Sequence, residues 1–282
     1  MTPDDLDERL EQLYQGAQSA SSEGLTEEAL KRSHEGMDLL EANGEDTEHH
    51  SYSDFVMLTA DIHWSAGDYE EAYKHYHRVM INDPERNDAR VATGVALYHL
   101  CRFTAAQTLL EMCSLDDPDE PEAWYYLGLL ALRQDRTEVA MQHFAVAHEL
   151  MEDRFLLPEE IDEKEIVEIV ERHLNELPDA IAAALDNVPI ILEKRPSEEL
   201  LFSSDPPMDP TVLGIFDGLP LTEESTLEAV LSPTRIVLFY ENIWVLAKDR
   251  ATLEEELWIT LKHEIGHYFG LSEDDLAKRG LD

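Results

Sequence analysis

A pattern that returns every 34 residues runs through the first half of the chain. Trp124, Leu127, Gly128, Ala131, Ala140, Phe144 and Ala147 have counterparts 34 positions earlier in Arg90, Thr93, Gly94, Leu97, Ala106, Leu110 and Cys113. One step further back stand Val56, Thr59, Ala60, His63, Ala72, Tyr76 and Val79, and Pro84 and Pro118 keep the same spacing. A fixed period of this length means that each unit is one supersecondary piece unable to bury its apolar face alone, so the units must stack. The spacing predicts two antiparallel helices per unit. Ala60, Gly94 and Gly128 in the first helix and Ala72, Ala106 and Ala140 in the second let the backbones approach. Tyr76, Leu110 and Phe144 are expected to fill the space between neighbouring units. Asp68, Arg102-Phe103 and Asp135-Arg136 fall at the turns, and the prolines end each second helix because they lack the N–H that would continue it.

This register resembles the tetratricopeptide repeat family, and Trp124-x-x-Leu127-Gly128 is its most telling fragment. Three units are expected at residues 53–86, 87–120 and 121–154. A degenerate one at 10–43 is carried by Ala17, Ala29 and the run from Thr26 to Leu30, with a polar insertion after it. The resemblance implies an all-α solenoid over residues 10–154 whose concave face binds a protein or peptide.

The charge balance bears on partners. With 62 acidic against 21 basic side chains, the formal charge is −41. Such a surface repels phosphate backbones and anionic lipid heads, so neither nucleic acid nor membrane is expected as a partner. No basic stretch followed by an apolar run opens the sequence, and no run of 18 apolar residues occurs, so neither a secretion signal nor a membrane span is expected. Cys101 and Cys113, the only cysteines, fall inside one repeat and read as buried thiols in a reducing, cytoplasmic compartment.

Residues 152–164 read as an acidic connection, and residues 165–177 as an amphipathic helix with Ile166, Ile169, Val170 and Leu174 on one stripe. An alanine-rich helix after Pro178 precedes a strand at 188–193. Residues 195–210 read as loop. Further strands are expected at 214–218, closed by an Asp-Gly turn, and at 235–240, where the β-branched and aromatic run is strongest. Residues 243–247 could extend that strand or begin the next helix. Thr252-x-x-Glu255 reads as a capping box opening a helix to Phe269, with Leu253, Leu257 and Leu261 facing a core.

That helix carries His263-Glu264-Ile265-Gly266-His267, the H-E-x-x-H pattern. Four residues make just over one turn, so both imidazoles project from one face and can grip one metal ion. Glu264 is offset by about 100° from His263, which can set its carboxylate beside a metal-activated water as general base. Gly270 can end the helix in a left-handed residue and turn the chain back. That brings Glu273 near the metal as third ligand, with Asp274 the close second choice and Asp275 also in range. Among other histidines, the His75/His77 pair points to different faces, and His49-His50 lies in the polar insertion; neither is expected to hold metal.

From about residue 160 onward the sequence resembles the small, minimal zincin-like metallopeptidase family, through residues 213–222, 233–239 and 263–275. The resemblance implies a small α+β domain over residues 155–282, one zinc ion held by His263, His267 and a carboxylate at or near Glu273, and an edge strand such as 235–240 to hold a peptide substrate. Glu at the third position departs from the more usual Asp or His, no methionine follows Met208 to form a Met-turn, and a shallow, open site is expected. The expected activity is hydrolysis of peptide bonds. The alternative is a non-catalytic interaction scaffold with a structural or degenerate metal site.

Overall fold

The computed structural model describes residues 3–44, 50–221 and 234–281. The expected Thr222 and Pro233 ends of the zincin-like segments lie outside the described residues, as do His49 and the side chain of His50. The chain divides into two compact units, residues 1–150 and 151–282. The architecture is the expected one: an all-α repeat array, then a small α+β domain.

The first unit is four helical hairpins: α1 (Pro3–Ser22) with α2 (Thr26–Ala42), α3 (His50–Ser65) with α4 (Tyr69–Asn82), α5 (Asn87–His99) with α6 (Phe103–Asp116), and α7 (Pro121–Arg133) with α8 (Thr137–Leu150). The helices α4, α6 and α8 begin 34 residues apart, and so do the left-handed residues that turn the chain before them, Gly67, Cys101 and Asp135. Asp68 caps α4 by accepting the Glu71 N–H at 3.2 Å, which satisfies a donor that no helical carbonyl reaches. The bulky residue of each unit has a partner inside its own hairpin. A Cβ on Gly94 would lie 2.7 Å from the Leu110 side chain, and one on Gly128 would lie 2.4 Å from the Phe144 ring. The Tyr76 hydroxyl donates to Asp61 Oδ1 at 2.7 Å within the second hairpin. Glycine is needed at positions 94 and 128 because the facing side chain already occupies its Cβ site.

In the second unit, α9 (Glu163–Asn175) and α10 (Asp179–Ala184) precede β1 (Ile190–Glu193), followed by α11 (Glu198–Leu201), β2 (Gly214–Asp217), β3 (Arg235–Phe239), α12 (Tyr240–Trp244), α13 (Arg250–Tyr268) and α14 (Glu273–Ala277). Among the described residues the three strands lie in the order β1-β3-β2; β1 runs parallel to β3 and β2 antiparallel to it. The strand β3 is therefore central, not the edge strand expected of residues 235–240. Its residues Ile236, Val237, Leu238 and Phe239 are almost wholly buried, and that two-sided burial explains the continuous apolar run. Tyr240, expected in the strand, opens α12 instead. The stretch read as loop holds the short α11.

The helix α13 is anchored by Leu253, Leu257 and Leu261, all buried, each worth about 1.5–3 kcal/mol relative to exposure. It starts earlier than the Thr252 capping box predicts. Asp249 is the N-cap, accepting from both the N–H and the hydroxyl of Thr252 at 2.8 Å.

Candidate metal centre

Both histidines project from the last two turns of α13, and Glu273 comes from the first turn of α14. The His263 and His267 Nε2 atoms stand 3.0 Å apart. Glu273 Oε1 lies 3.2 Å from His267 Nε2, and its Oε2 lies 3.6 Å from His263 Nε2. Among the described residues this is the one group in which three metal-binding side chains converge, with one donor atom of each within 4.8 Å of the others. The chain reverses between the two helices because Gly270 takes a left-handed conformation, φ +80°. Asp274 is absent from the cluster, and the Asp275 carboxylate is spent on a reciprocal cap with Ser272. Ser272-x-x-Asp275 is a readable start signal for α14, although only Thr252-x-x-Glu255 was expected to act as one.

The tautomers follow from the partners. His263 Nδ1 lies 2.5 Å from the Leu281 carbonyl oxygen, and His267 Nδ1 lies 3.2 Å from that of Leu271. A carbonyl only accepts, so each Nδ1 carries the proton and donates it. In its neutral form a ring held this way carries a lone pair on Nε2. Two such lone pairs 3.0 Å apart repel unless a positive charge sits between them. The donor set suits zinc: nitrogens about 2.0–2.1 Å from one ion at a tetrahedral angle stand about 3.3–3.4 Å apart, and the three separations bracket that value. Three such side chains would leave a fourth tetrahedral position open on an ion held there.

Glu264 faces the opposite way from a surface acid: only 6% of it is exposed. Burial pushes its carboxyl up to about 7, against the opposing pull of His263 and of the Phe216 N–H it accepts from, while Glu273 adds to the rise. That amide belongs to the outer edge of β2. The Phe239 N–H bonds to the Leu213 carbonyl at 2.8 Å, so in an antiparallel ladder residues 213, 215 and 217 face β3 while Gly214 and Phe216 turn their backbone groups outward. Gly214 permits the approach, since a Cβ there would lie 3.0 Å from both Glu264 Cγ and Thr260 Cγ2. Sequence reasoning missed Gly214 and Phe216; the glycine inside a strand is the signal that could have found them.

In the other histidine pair, His75 is stacked on His63 and His77 on Tyr73. No described helix is long and apolar enough to cross a membrane.

Fold and site together define a repeat array joined to a zincin-like domain. Residues 63–132 match the family model described as tetratricopeptide repeat, and residues 185–281 match that of the zincin-like metallopeptidases. Solved structures similar to this chain include YrrB, described as a TPR protein with an unusual peptide-binding site, at 15% identity over 50% of this chain and 69% of that one, TM-score 0.41. MamA is similar at 14% identity, covering 48% and 74% with TM-score 0.39. Pseudomonas aeruginosa pilF is similar at 19%, covering 53% and 64% with TM-score 0.44.

Proposed function

We propose that residues 155–282 are a zinc-dependent metallopeptidase and that the repeats, residues 10–154, bring it a protein or peptide partner in the cytoplasm. His263, His267 and Glu273 hold one zinc ion, and Glu264 is the general base. The observation that carries this reading is the pair of Nε2 atoms 3.0 Å apart with a carboxylate beside them.

Zinc bound there supplies a Lewis acid that polarises a carbonyl and acidifies water. Glu264 does the proton work. Burial favours the protonated form of its carboxyl, which suits it to take a proton from the attacking water and hand it to the leaving amine. The Phe216 N–H steadies that carboxylate. The outer edge of β2, rather than β3, is suited to hold an extended peptide beside it. The match of residues 185–281 to the zincin-like metallopeptidases supports the same chemistry.

The test is elemental analysis of purified wild type beside Glu264→Gln, with a peptide-library digest of both. One zinc per chain in each protein and cleavage by the wild type alone is the expected result. Fully loaded wild type that cleaves nothing would sink the peptidase reading.

A further inference from the structure

Resting on the reading that this site holds zinc, we infer that residues 270–281 are a positioning strap, in which the backbone carbonyls of Leu271 and Leu281 aim the two histidines at the metal. An imidazole on a helix can present either nitrogen. Only a proton fixed on Nδ1 leaves both Nε2 atoms free to share an ion. Leu271 fixes that proton for His267 and Leu281 fixes it for His263.

The two carbonyls are delivered by the same device used twice. At the end of α13, the Gly270 N–H bonds to the His267 carbonyl and the Leu271 N–H to the Gly266 carbonyl, at 2.9 and 3.0 Å. After α14, the Gly280 N–H bonds to the Ala277 carbonyl and the Leu281 N–H to the Leu276 carbonyl, at 3.0 and 3.2 Å. Each is a helix end closed by a left-handed glycine, φ +80° at Gly270 and +68° at Gly280. Each glycine is followed by a leucine whose carbonyl turns to one histidine. Between the two turns, Glu273 contributes the carboxylate. Leu276 is fully buried and lies where a Cβ of Gly266 would be, 2.4 Å away, which clamps the strap to α13. One short segment thus supplies an acidic donor and sets both tautomers.

Zinc affinity of the full chain, read by competition with a chromophoric chelator, tests this alongside the ¹⁵N resonances of the histidine rings. Wild type should bind zinc with Nδ1 protonated in both rings. A chain ended at Arg279, and Gly280→Val, which puts a β-branched residue at positive φ, should each lose roughly ten- to a hundred-fold in affinity. The His263 Nδ1–H signal should go, and the His267 signal should stay, which also reports that α13 is folded. Gly280→Asn, whose side chain tolerates the left-handed region, should keep most of the affinity. Unchanged affinity and an unchanged His263 signal in the shortened chain would overturn the inference, as would equal losses in Gly280→Asn and Gly280→Val. Wild type that binds no zinc in the same titration would instead overturn the underlying assignment of the site.

Discussion

The Nε2 atoms of His263 and His267 face each other at 3.0 Å while each ring gives its other nitrogen's proton to a backbone carbonyl. A neutral ring cannot relieve the repulsion by donating from Nε2 to its neighbour without giving up that bond. A shared divalent ion would resolve the conflict for both.

Changing either ring to alanine should therefore cost the metal rather than the fold. Both side chains are only partly buried, so His263→Ala and His267→Ala open no large cavity in the core. Elemental analysis after dialysis should find less than about a tenth of the wild-type zinc in either variant, given that one ligand of three is gone. Far-UV circular dichroism should stay at the wild-type level.

Glu264→Gln separates holding the metal from using it. The amide keeps the volume and an oxygen for the Phe216 N–H, but it takes no proton. Zinc content should be unchanged and hydrolysis should fall by about 10²–10⁴-fold, the usual worth of a positioned base. Loss of zinc alongside activity would make Glu264 a ligand instead.

Gly214 tests the closeness of β2 to the helix. Gly214→Val would drive a branched side chain into Glu264 and Thr260, whose atoms already lie 3.0 Å from a bare Cβ. The cost should be about 1–3 kcal/mol of stability for overpacking, with turnover falling further because the Phe216 amide moves away from the carboxylate. Thermal melting and peptide hydrolysis, measured on the same preparation, check both parts.

How much of this could be read from residue order differs between the halves. The repeats were legible because Gly94, Gly128 and their alanine partners mark contact points at a fixed period, and periodic sterics are local. H-E-x-x-H was legible because helix geometry alone puts His263 and His267 on one face. Strand order was not. The apolar run at 236–239 reports burial on two faces, which a central strand and a covered edge share, and the partners that decide are far away in sequence. The Leu271 and Leu281 carbonyls left no trace either, since every residue has one. Only their glycine-leucine setting repeats, at 270–271 and 280–281. Asp249 outbid Thr252 as the cap of α13 by binding both the N–H and the hydroxyl of Thr252, a choice that depends on the bend of the preceding backbone.

In the repeat unit, Gly128→Ala pits two effects against each other. Alanine in a helix interior gains about 0.5–1 kcal/mol over glycine. The new methyl would sit 2.4 Å from the Phe144 ring, itself only 1% exposed, and overpacking costs about 1–3 kcal/mol. The clash should win. Urea unfolding should show a lower midpoint for the repeats, with zinc content unaltered.

Cys113 gives the last prediction, on pH. Its side chain is wholly buried among the repeat helices, and burial pushes the thiol up to about 11 even with Arg90 nearby pulling the other way. The thiolate is the reactive form, so neither fast labelling by a disulfide reagent at pH 8 nor easy oxidation should occur until the repeats unfold. Because the folded thiol titrates above its unfolded value, the native state holds a proton that the unfolded chain releases first. Stability from this group is therefore level below about pH 8.5 and falls as pH rises from there toward 11. Cys113→Ala should flatten that alkaline decline while lowering stability at neutral pH, where the small cavity it leaves is felt. Thermal melts of both proteins across pH 7–11 would decide it: parallel curves would mean that some other group, not this thiol, sets the alkaline limit.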